Sequence, residues 1–427
     1  MKYLKKFLLT ALTVSSFLSI AQTITNNPIK INIADINKNN KVFFEEDIAA
    51  VMPESTPTNP IYPLGLQAQF SLKYKGAFRV NATNSVSNSN YAVGTLAYNP
   101  NHHSIFMAGH SHHNAIAEFE IPISLSFEPR AKDIPNAQVL QNYVRALDNI
   151  RTNRITGMLY KNDKLLVSSE IWYDGSGGNT DNLQVLNASD LSEKPKGVLK
   201  IEGKARAAGY MSKIPENMRS KLNADYLVGW SSVYSITSRY SQGPSLFTFN
   251  PNQVLNINPD GNGVINTKAI QVYPLEKGTQ LVEGANDYQK NVSPIWGALS
   301  RGIYGFIVPN TSTFMVVGSH AGIHSGIGYK IIQQGKTGAC SGGCTYKPDD
   351  NYSYFWLFNV NEMLTTENPW DVKPFSYGKW RTPFDGRIIG ATFDDTNNIL
   401  YMSISGAART GEYDRPPMIV AYNVTAK

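Results

Sequence analysis

The segment GTLAYNPNHHSIFMAGH, residues 94–110, contains the pattern that decides the fold. A glycine and a short apolar run lead into a polar turn, and a second apolar run follows that ends in glycine and histidine. Short apolar runs separated by Asn, Pro and Gly are typical of antiparallel β-strands joined by a tight turn. The segment is therefore predicted to form a β-hairpin.

Related phrases recur along the chain: GMLYKNDKLLVSSE at 157–170, NADYLVGWSS at 223–232, GFIVPNTSTFMVVGSH at 305–320 and GATFDDTNNILYMSIS at 390–405. Each phrase is followed by a polar insert and then by an alternating strand such as IAEFEIP, residues 116–122. Hairpin, insert and strand, repeated without a strong amphipathic helix, are the signature of four-stranded sheets arranged around an axis. We predict an all-β fold, a β-propeller, over residues 65–427.

The number of blades follows from the spacing of these phrases. At about 40 to 50 residues per blade, the predicted domain suits seven blades, with six or eight as alternatives. This count assumes that the gaps after residues 223 and 305 each contain a further blade. The early strand QFSLKYKGAFRV, residues 69–80, is expected to complete the last blade and leave no free sheet edge.

The N-terminus is predicted to be a cleaved secretory signal. Residues 1–21 begin with lysines, continue with an apolar run and end in small residues. Without the three lysines of this segment the formal charge falls from +6 to +3, too weak an excess to favour a nucleic-acid partner. No other apolar stretch approaches the roughly 18 residues of a membrane span. We expect a monomer that is secreted, periplasmic or held at the cell surface.

Residues 22–64 form a polar segment with one distinctive motif, DINKNNKVFFEE. Asp35, Asn37 and Asn39 occupy positions one, three and five of a calcium loop, and Glu46 occupies position twelve. The motif resembles half of a dockerin or EF-hand. There is only one copy, so an Asn-rich turn stays open as the alternative.

The chain has only two cysteines, Cys340 and Cys344. In an exported protein the pair predicts one small disulfide loop. Two thiolates of a zinc site are the alternative, but such a site needs two further ligands.

All seven histidines lie in two segments. In a propeller, residues that follow the second strand of every blade converge around the mouth of the central channel. This position predicts a rim with His110, His112 and His113 and with the following substrate-binding candidates: Tyr173, Trp230, His320, His324 and Arg409. For each histidine the alternative is a hydrogen-bonded turn residue, and for the tryptophan and tyrosine it is packing between blades. His102 and His103 are expected to be ordinary turn residues.

A second set of candidates contains Arg206, Tyr210, Arg239 and Tyr240. Arginine and tyrosine together suit recognition of a carboxylate or sulfate on a sugar ring. A loop anchored over a blade is the alternative.

These residue types match the needs of β-elimination on a uronic acid, which requires a neutralised carboxylate, a base and an acid. His110 is the candidate base, Tyr210 or Tyr240 the acid, and Arg239 or Arg206 the carboxylate clamp. Together with the export signal and the propeller, this set resembles the secreted β-propeller lyases that cut ulvan and related acidic polysaccharides. The resemblance implies a polysaccharide substrate.

Three other functions remain open. Glu170 with Asp174, or Glu412 with Asp414, could serve a glycoside hydrolase, although this would not explain the histidines. His110, His112 and His320 could bind a divalent metal. A propeller that only binds carbohydrate or protein is the non-enzymatic alternative. The chain lacks the P-loop and G-x-G-x-x-G motifs, so no nucleotide cofactor is expected.

Overall fold

The fold was analysed in a computed structural model, which describes residues 69–171, 181–232, 241–258, 260–284, 293–325, 327–329, 343–345 and 349–427. The predicted signal segment, the calcium loop (Asp35, Asn37, Asn39 and Glu46) and the boundary at residue 64 lie outside these ranges. The first described strand is β1 (Phe70–Arg79).

Five sheets follow along the chain, and the first two are continuous in sequence. The first sheet contains β2 (Leu96–Asn99), β3 (Ser104–Ala108), β4 (Ala115–Glu120) and β5 (Val139–Arg145). The second sheet contains β6 (Arg154–Lys161), β7 (Lys164–Glu170), β8 (Asp181–Asn187) and β9 (Lys196–Ile201). Within each sheet, consecutive strands pair antiparallel, as the hairpin pattern predicts.

The third sheet is more irregular because short strands and long connections alternate in it. Its strands are β10 (Met211–Lys213), β11 (Tyr226–Val228), β13 (Leu246–Phe249) and β15 (Thr267–Gln271). Two strands from the same region join neighbouring sheets. They are β12 (Ser231–Ser232), which pairs with the fourth sheet, and β14 (Asn262–Ile265), which runs parallel to β9.

The last two sheets complete the series. The fourth sheet contains β16 (Arg301–Ile307), β17 (Thr313–Ala321), β20 (Asn351–Asn359) and β21 (Ser376–Lys379). A separate two-stranded ribbon is formed by β18 (Ile327–Tyr329) and β19 (Gly343–Thr345). The fifth sheet contains β22 (Ile388–Asp394), β23 (Ile399–Ile404) and β24 (Met418–Ala426). β1 pairs with β24 and is the outermost strand of the fifth sheet. This confirms the prediction that the early strand completes the last blade.

The first strands of the five sheets form a closed ring: β2 contacts β6, β6 contacts β10, β10 contacts β16, β16 contacts β22, and β22 contacts β2. Each sheet extends outward from this ring. The predicted β-propeller is therefore confirmed, but it has five blades, and the prediction of seven was wrong. In the described residues, the gap after 223 contains strands of existing sheets and their connections, and the gap after 305 adds only the two-stranded ribbon of β18 and β19.

Helices play a small part in the described ranges. Helix α1 (Glu216–Leu222) buries Met218 and Leu222 and ends at Asn223, whose φ of 50° closes the helix in the left-handed conformation. Helix α2 (Val360–Thr365) follows β20 directly. Short 3-10 turns occur at Ala131–Asp133, Lys204–Arg206 and Pro251–Gln253. None of the described helices is long and apolar enough to cross a membrane.

Two glycines allow the inner strands to approach each other closely. A Cβ added to Gly390 in β22 would lie 1.8 Å from the carbonyl oxygen of Gly94, just before β2. A Cβ on Gly157 in β6 would lie 1.8 Å from the carbonyl oxygen of Gly209, just before β10. Any side chain would clash with neighbouring backbone at these two junctions, so glycine is required.

A buried carboxylate fixes the first sheet internally. Glu118 in β4 is fully buried and accepts hydrogen bonds from Asn99 Nδ2 (2.9 Å), Ser104 Oγ (2.5 Å) and Gln141 Nε2 (2.6 Å). Its Oε1 also lies 3.1 Å from Nδ1 of His102. Both carboxylate oxygens are thus bonded, which offsets the cost of burying the charge. His102 therefore belongs to the turn, as predicted.

Candidate functional site

One residue in each blade occupies an equivalent position where the inner strand begins. The carbonyl oxygens of Tyr91, Arg206 and Arg387 each accept a hydrogen bond from a residue at the end of the second strand of the blade. In the other two blades Arg154 pairs with Glu170, and Arg301 pairs with Ser319. We call these five residues the entrance ring: Tyr91, Arg154, Arg206, Arg301 and Arg387. Because the inner strands form one closed ring, the five positions surround the same mouth.

The entrance ring has a sequence signature that was not recognised from the sequence alone. Tyr91, Arg154, Arg206 and Arg387 are each followed three positions later by a glycine. After Arg301 the glycine comes one position later. Arg154, Arg301 and Arg387 share a further feature, since the pairing register of the strand shifts at the second residue after each arginine, as at a β-bulge.

Two of the ring arginines are joined by a buried carboxylate and an indole. Glu170 is almost fully buried, and its Oε2 accepts a hydrogen bond of 2.9 Å from Nε1 of Trp230. Its Oε1 lies 4.0 Å from the Arg154 guanidinium. The backbone N–H of Trp230 donates to the carbonyl oxygen of Arg206 at 3.1 Å. Trp230, a predicted substrate-binding residue, therefore links two blades and is 5% exposed.

The guanidinium groups of Arg206 and Arg387 are poorly compensated. Burial lowers the pKa of Arg206, and the negative charge of Glu276 only partly opposes this effect. Desolvation also lowers the pKa of Arg387, although the residue as a whole is exposed and its Nη1 lies 3.5 Å from Oδ1 of Asn351. The surrounding protein thus disfavours the charged form of both guanidinium groups.

The fifth position of the ring carries an aromatic and imidazole cluster. Tyr91 is 48% exposed and has a φ of 50°, an unusual conformation for a bulky residue. Its ring lies edge-on to His110, with the centroids 6.2 Å apart. His110 stacks on His113 at 4.4 Å and lies 5.5 Å from His112. The rings of the three histidines are thus close to one another and to Tyr91.

Hydrogen bonds distinguish two of the imidazoles. Nδ1 of His110 accepts from the backbone N–H of His112 at 3.3 Å, so the proton of the neutral ring is on Nε2. Nδ1 of His113 lies 3.2 Å from Oγ of Ser87. The pKa of His110 is lowered by burial and then by the neighbouring His113 and His112. His110 therefore favours the uncharged state.

Other predicted site residues lie elsewhere. Tyr210 is fully buried, and its hydroxyl donates to the carbonyl oxygen of Ser245, so it is a core residue and not a solvent-facing acid. His320 is 1% exposed, and its ring bonds to Ser300 Oγ and to the carbonyl oxygen of Ser293, both at 2.7 Å. Its two nitrogens are therefore occupied, which leaves none to bind substrate or metal.

Two further candidates are exposed but lie in separate loops. His324 lies 3.4 Å from the Lys379 ammonium, and Arg409 donates to the carbonyl oxygen of Gly411 at 2.8 Å. Tyr173, Arg239, Tyr240 and Cys340 lie outside the described residues, and so does the side chain of Cys344. Among the residues that the structure describes, no group of three or more His, Cys, Asp or Glu side chains is placed to hold a metal. The proposed site of His110, His112 and His320 is therefore not assembled.

Comparison with known proteins leaves the family unassigned. No protein-family model and no curated protein matches the chain. The hydrazine synthase of Kuenenia stuttgartiensis matches 75% of this chain at 6% identity and a TM-score of 0.30, and the chain spans 58% of that structure.

Two other solved structures are matched over 99% of their own length. A pyrroloquinoline-quinone-bound aldose sugar dehydrogenase from Streptomyces coelicolor matches 84% of this chain at 10% identity and a TM-score of 0.29. A putative glucose dehydrogenase from Thermus thermophilus matches 83% at 9% identity and a TM-score of 0.33. Similarity this low carries no argument about activity, and the fold assignment rests on the strand pairing.

Proposed function

We propose that the chain is a secreted carbohydrate-active enzyme that cleaves uronate-containing polysaccharide by β-elimination. The observation that supports this proposal is the composition of the entrance ring, in which four arginines surround the same mouth as a tyrosine and stacked histidines. A uronate polymer brings one carboxylate per acidic sugar. The planar guanidinium group is the best protein match to a carboxylate, because it can donate two parallel hydrogen bonds.

The reaction needs a proton to be removed from C5, next to the carboxylate. The electron pair of that C–H bond forms the C4–C5 double bond while the bond from C4 to the glycosidic oxygen breaks. The leaving oxygen then takes a proton from an acid. A ring arginine would stabilise the charge that develops on the carboxylate, and Tyr91 would supply the proton to the leaving oxygen.

The hydrogen bonds favour His113 over His110 as the base. His110 has its proton on Nε2 and therefore presents a donor, which suits binding of the substrate. When Nδ1 of His113 donates to Ser87, its Nε2 carries a free electron pair that can accept the C5 proton. The ring of His110, whose pKa is lowered, stacks on His113 and favours the uncharged state beside the base.

The test is the ultraviolet absorbance of the unsaturated uronate product, measured on ulvan, alginate, pectin and glycosaminoglycans with and without EDTA. We expect His113→Ala and Tyr91→Phe to lower kcat by about 10² to 10⁴-fold. His103→Asn is the matched control because His103 lies in the β2–β3 turn, where its Nδ1 contacts the Tyr98 hydroxyl. This control should keep full activity.

Two outcomes would overturn the proposal. If none of the polymers yields an unsaturated product, β-elimination of these substrates is excluded. If a polymer binds but yields no product, the chain is a carbohydrate-binding propeller. Full activity of His113→Ala and Tyr91→Phe would exclude the assigned base and acid. Loss of activity in EDTA would show that a metal, such as one in the predicted calcium loop, is required.

A further inference from the structure

The other mouth of the ring contains a cavity of about 280 Å³. It lies opposite the entrance ring, because its lining includes the ends of inner strands and the turns that lead to the second strands. All five inner strands contribute to its wall. Its wall includes six polar side chains that can bond to a ligand: Tyr98, Tyr160, Lys161, Lys213, Tyr226 and Asp395.

Aromatic rings line the wall from several directions. Tyr98 comes from the first sheet, Tyr160 from the second, Tyr226 from the third and Phe393 from the fifth, and all four are half-buried. Half-buried tyrosines offer an apolar face and a polar edge in the same place. The apolar C–H faces of a sugar ring match such surfaces.

Polar groups at the cavity form short chains of hydrogen bonds. Asn101 Nδ2 donates to the Tyr160 hydroxyl at 2.7 Å, and that hydroxyl donates to Oδ1 of Asp163 at 2.7 Å. The Lys161 ammonium donates to the Tyr226 hydroxyl at 3.1 Å and lies over its ring at 4.8 Å from the centroid. These groups are held at fixed positions, as is required for recognising hydroxyl groups.

The charges at this mouth are balanced, in contrast to the entrance ring. Lys213 forms an ion pair with Asp395, and both side chains are about two-fifths exposed. Lys161 is matched by the nearby Asp163, which bonds to the cavity residue Tyr160. The lining itself contains Lys161, Lys213 and Asp395, and Asp163 lies outside it but bonds to the lining residue Tyr160. The two lysines and two aspartates of this mouth cancel, so it does not favour an anionic ligand over a neutral one.

We propose that this cavity binds a neutral pyranose residue, so that the propeller has a second carbohydrate site on the face opposite the entrance ring. Its volume is just below the range of about 300 to 1,000 Å³ typical of sites for drug-sized ligands, which suits one sugar ring. Aromatic walls contact the faces of the ring, while the Lys213–Asp395 pair and the tyrosine hydroxyls bond to its hydroxyl groups. The site is independent of any reaction at the entrance ring.

The test is calorimetric titration of the full chain with the methyl pyranosides of glucose, galactose, mannose and rhamnose, with glucuronate as the anionic comparator. Lys213→Met and Asp395→Asn should each weaken binding about ten-fold, because each removes a charged hydrogen-bonding partner of the sugar. Lys194→Met is the matched control. It breaks a surface Lys–Asp ion pair with Asp148, 3.1 Å long, outside the cavity lining.

The expected result is millimolar or tighter binding of at least one neutral pyranoside that both cavity variants weaken and the control does not. The proposal would be overturned if none of the neutral pyranosides binds. Equal binding by wild type and both cavity variants would also overturn it, and so would tighter binding of glucuronate than of every neutral sugar. All three variants alter exposed side chains, so circular dichroism should report an unchanged fold.

Discussion

Substitution of Gly390 by alanine tests how the ring of blades is closed. Gly390 lies where the fifth blade meets the first, and an added Cβ would lie 1.8 Å from the carbonyl oxygen of Gly94, 2.5 Å from its carbonyl carbon and 2.9 Å from Cα of Thr95. All three atoms belong to the backbone. They cannot rotate away as a side chain would, so the two inner strands must separate.

The expected loss of unfolding free energy in Gly390→Ala is at the upper end of the range for substitutions that overpack a core. Extra methyl groups that side chains can accommodate destabilise by about 1 to 3 kcal/mol, and a backbone clash leaves less freedom to relax. We therefore expect Gly390→Ala to lower the free energy of unfolding by about 3 kcal/mol or more. Gly157→Ala should behave alike, because its Cβ meets the carbonyl oxygen of Gly209 at the same distance.

Urea denaturation followed by tryptophan fluorescence measures this effect. Gly263→Ala is the matched control, since its Cβ would have only Leu199 Cδ2 within 4 Å, at 3.9 Å. The control should stay within about 0.5 kcal/mol of wild type, as is usual for surface changes. A Gly390→Ala variant that unfolds at the same urea concentration as Gly263→Ala would refute the close contact between the last and first blades.

Two further predictions concern stability. Glu118→Ala should lower the free energy of unfolding by about 3 to 5 kcal/mol, because it leaves the buried donors of Asn99, Ser104 and Gln141 without their acceptor. Glu128→Ala, at an exposed position, should lower it little in the same urea experiment. Burial lowers the pKa of His320 from 6.5 to about 4. The unfolded chain therefore takes up this proton first, and stability should fall by roughly 3 kcal/mol as the pH decreases from about 6.5 to about 4. In His320→Gln this part of the pH dependence should vanish, and an unchanged slope would contradict the assignment.

The class of fold could be predicted because each blade repeats the same hairpin pattern. Strands β3, β7, β17 and β23 each contain a short apolar run followed by polar residues, and such runs are visible without a structure. The number of blades could not be predicted in the same way. The length of a polar insert does not show whether the insert contains a sheet. The long connections of the third and fourth sheets therefore led to a predicted count that was too high.

The site was predicted only in part, for a related reason. The histidines beside Tyr91 could be selected because they follow an obvious apolar strand, β3. Tyr210 was misplaced because it directly precedes the three-residue strand β10, which is too short to show an alternating pattern. Arg206 is a candidate from the sequence because it precedes a tyrosine in a polar insert. Arg154, Arg301 and Arg387 are not candidates from the sequence, because they lie at the beginnings of first strands and the rim was predicted from the ends of second strands. The spacing from arginine to glycine nevertheless repeats in the sequence.

The same short repeat accounts for both the closure of the ring and the charge at its mouth. Glycine lets neighbouring inner strands approach to backbone contact, and in the second, third and fifth blades an arginine lies three residues earlier, at the entrance. Glu170 lies beside Arg154, but burial lowers the pKa of both Arg206 and Arg387, so these two cations are held where charge is costly. An anionic ligand at the mouth would compensate the cost of burying the charges of Arg206 and Arg387.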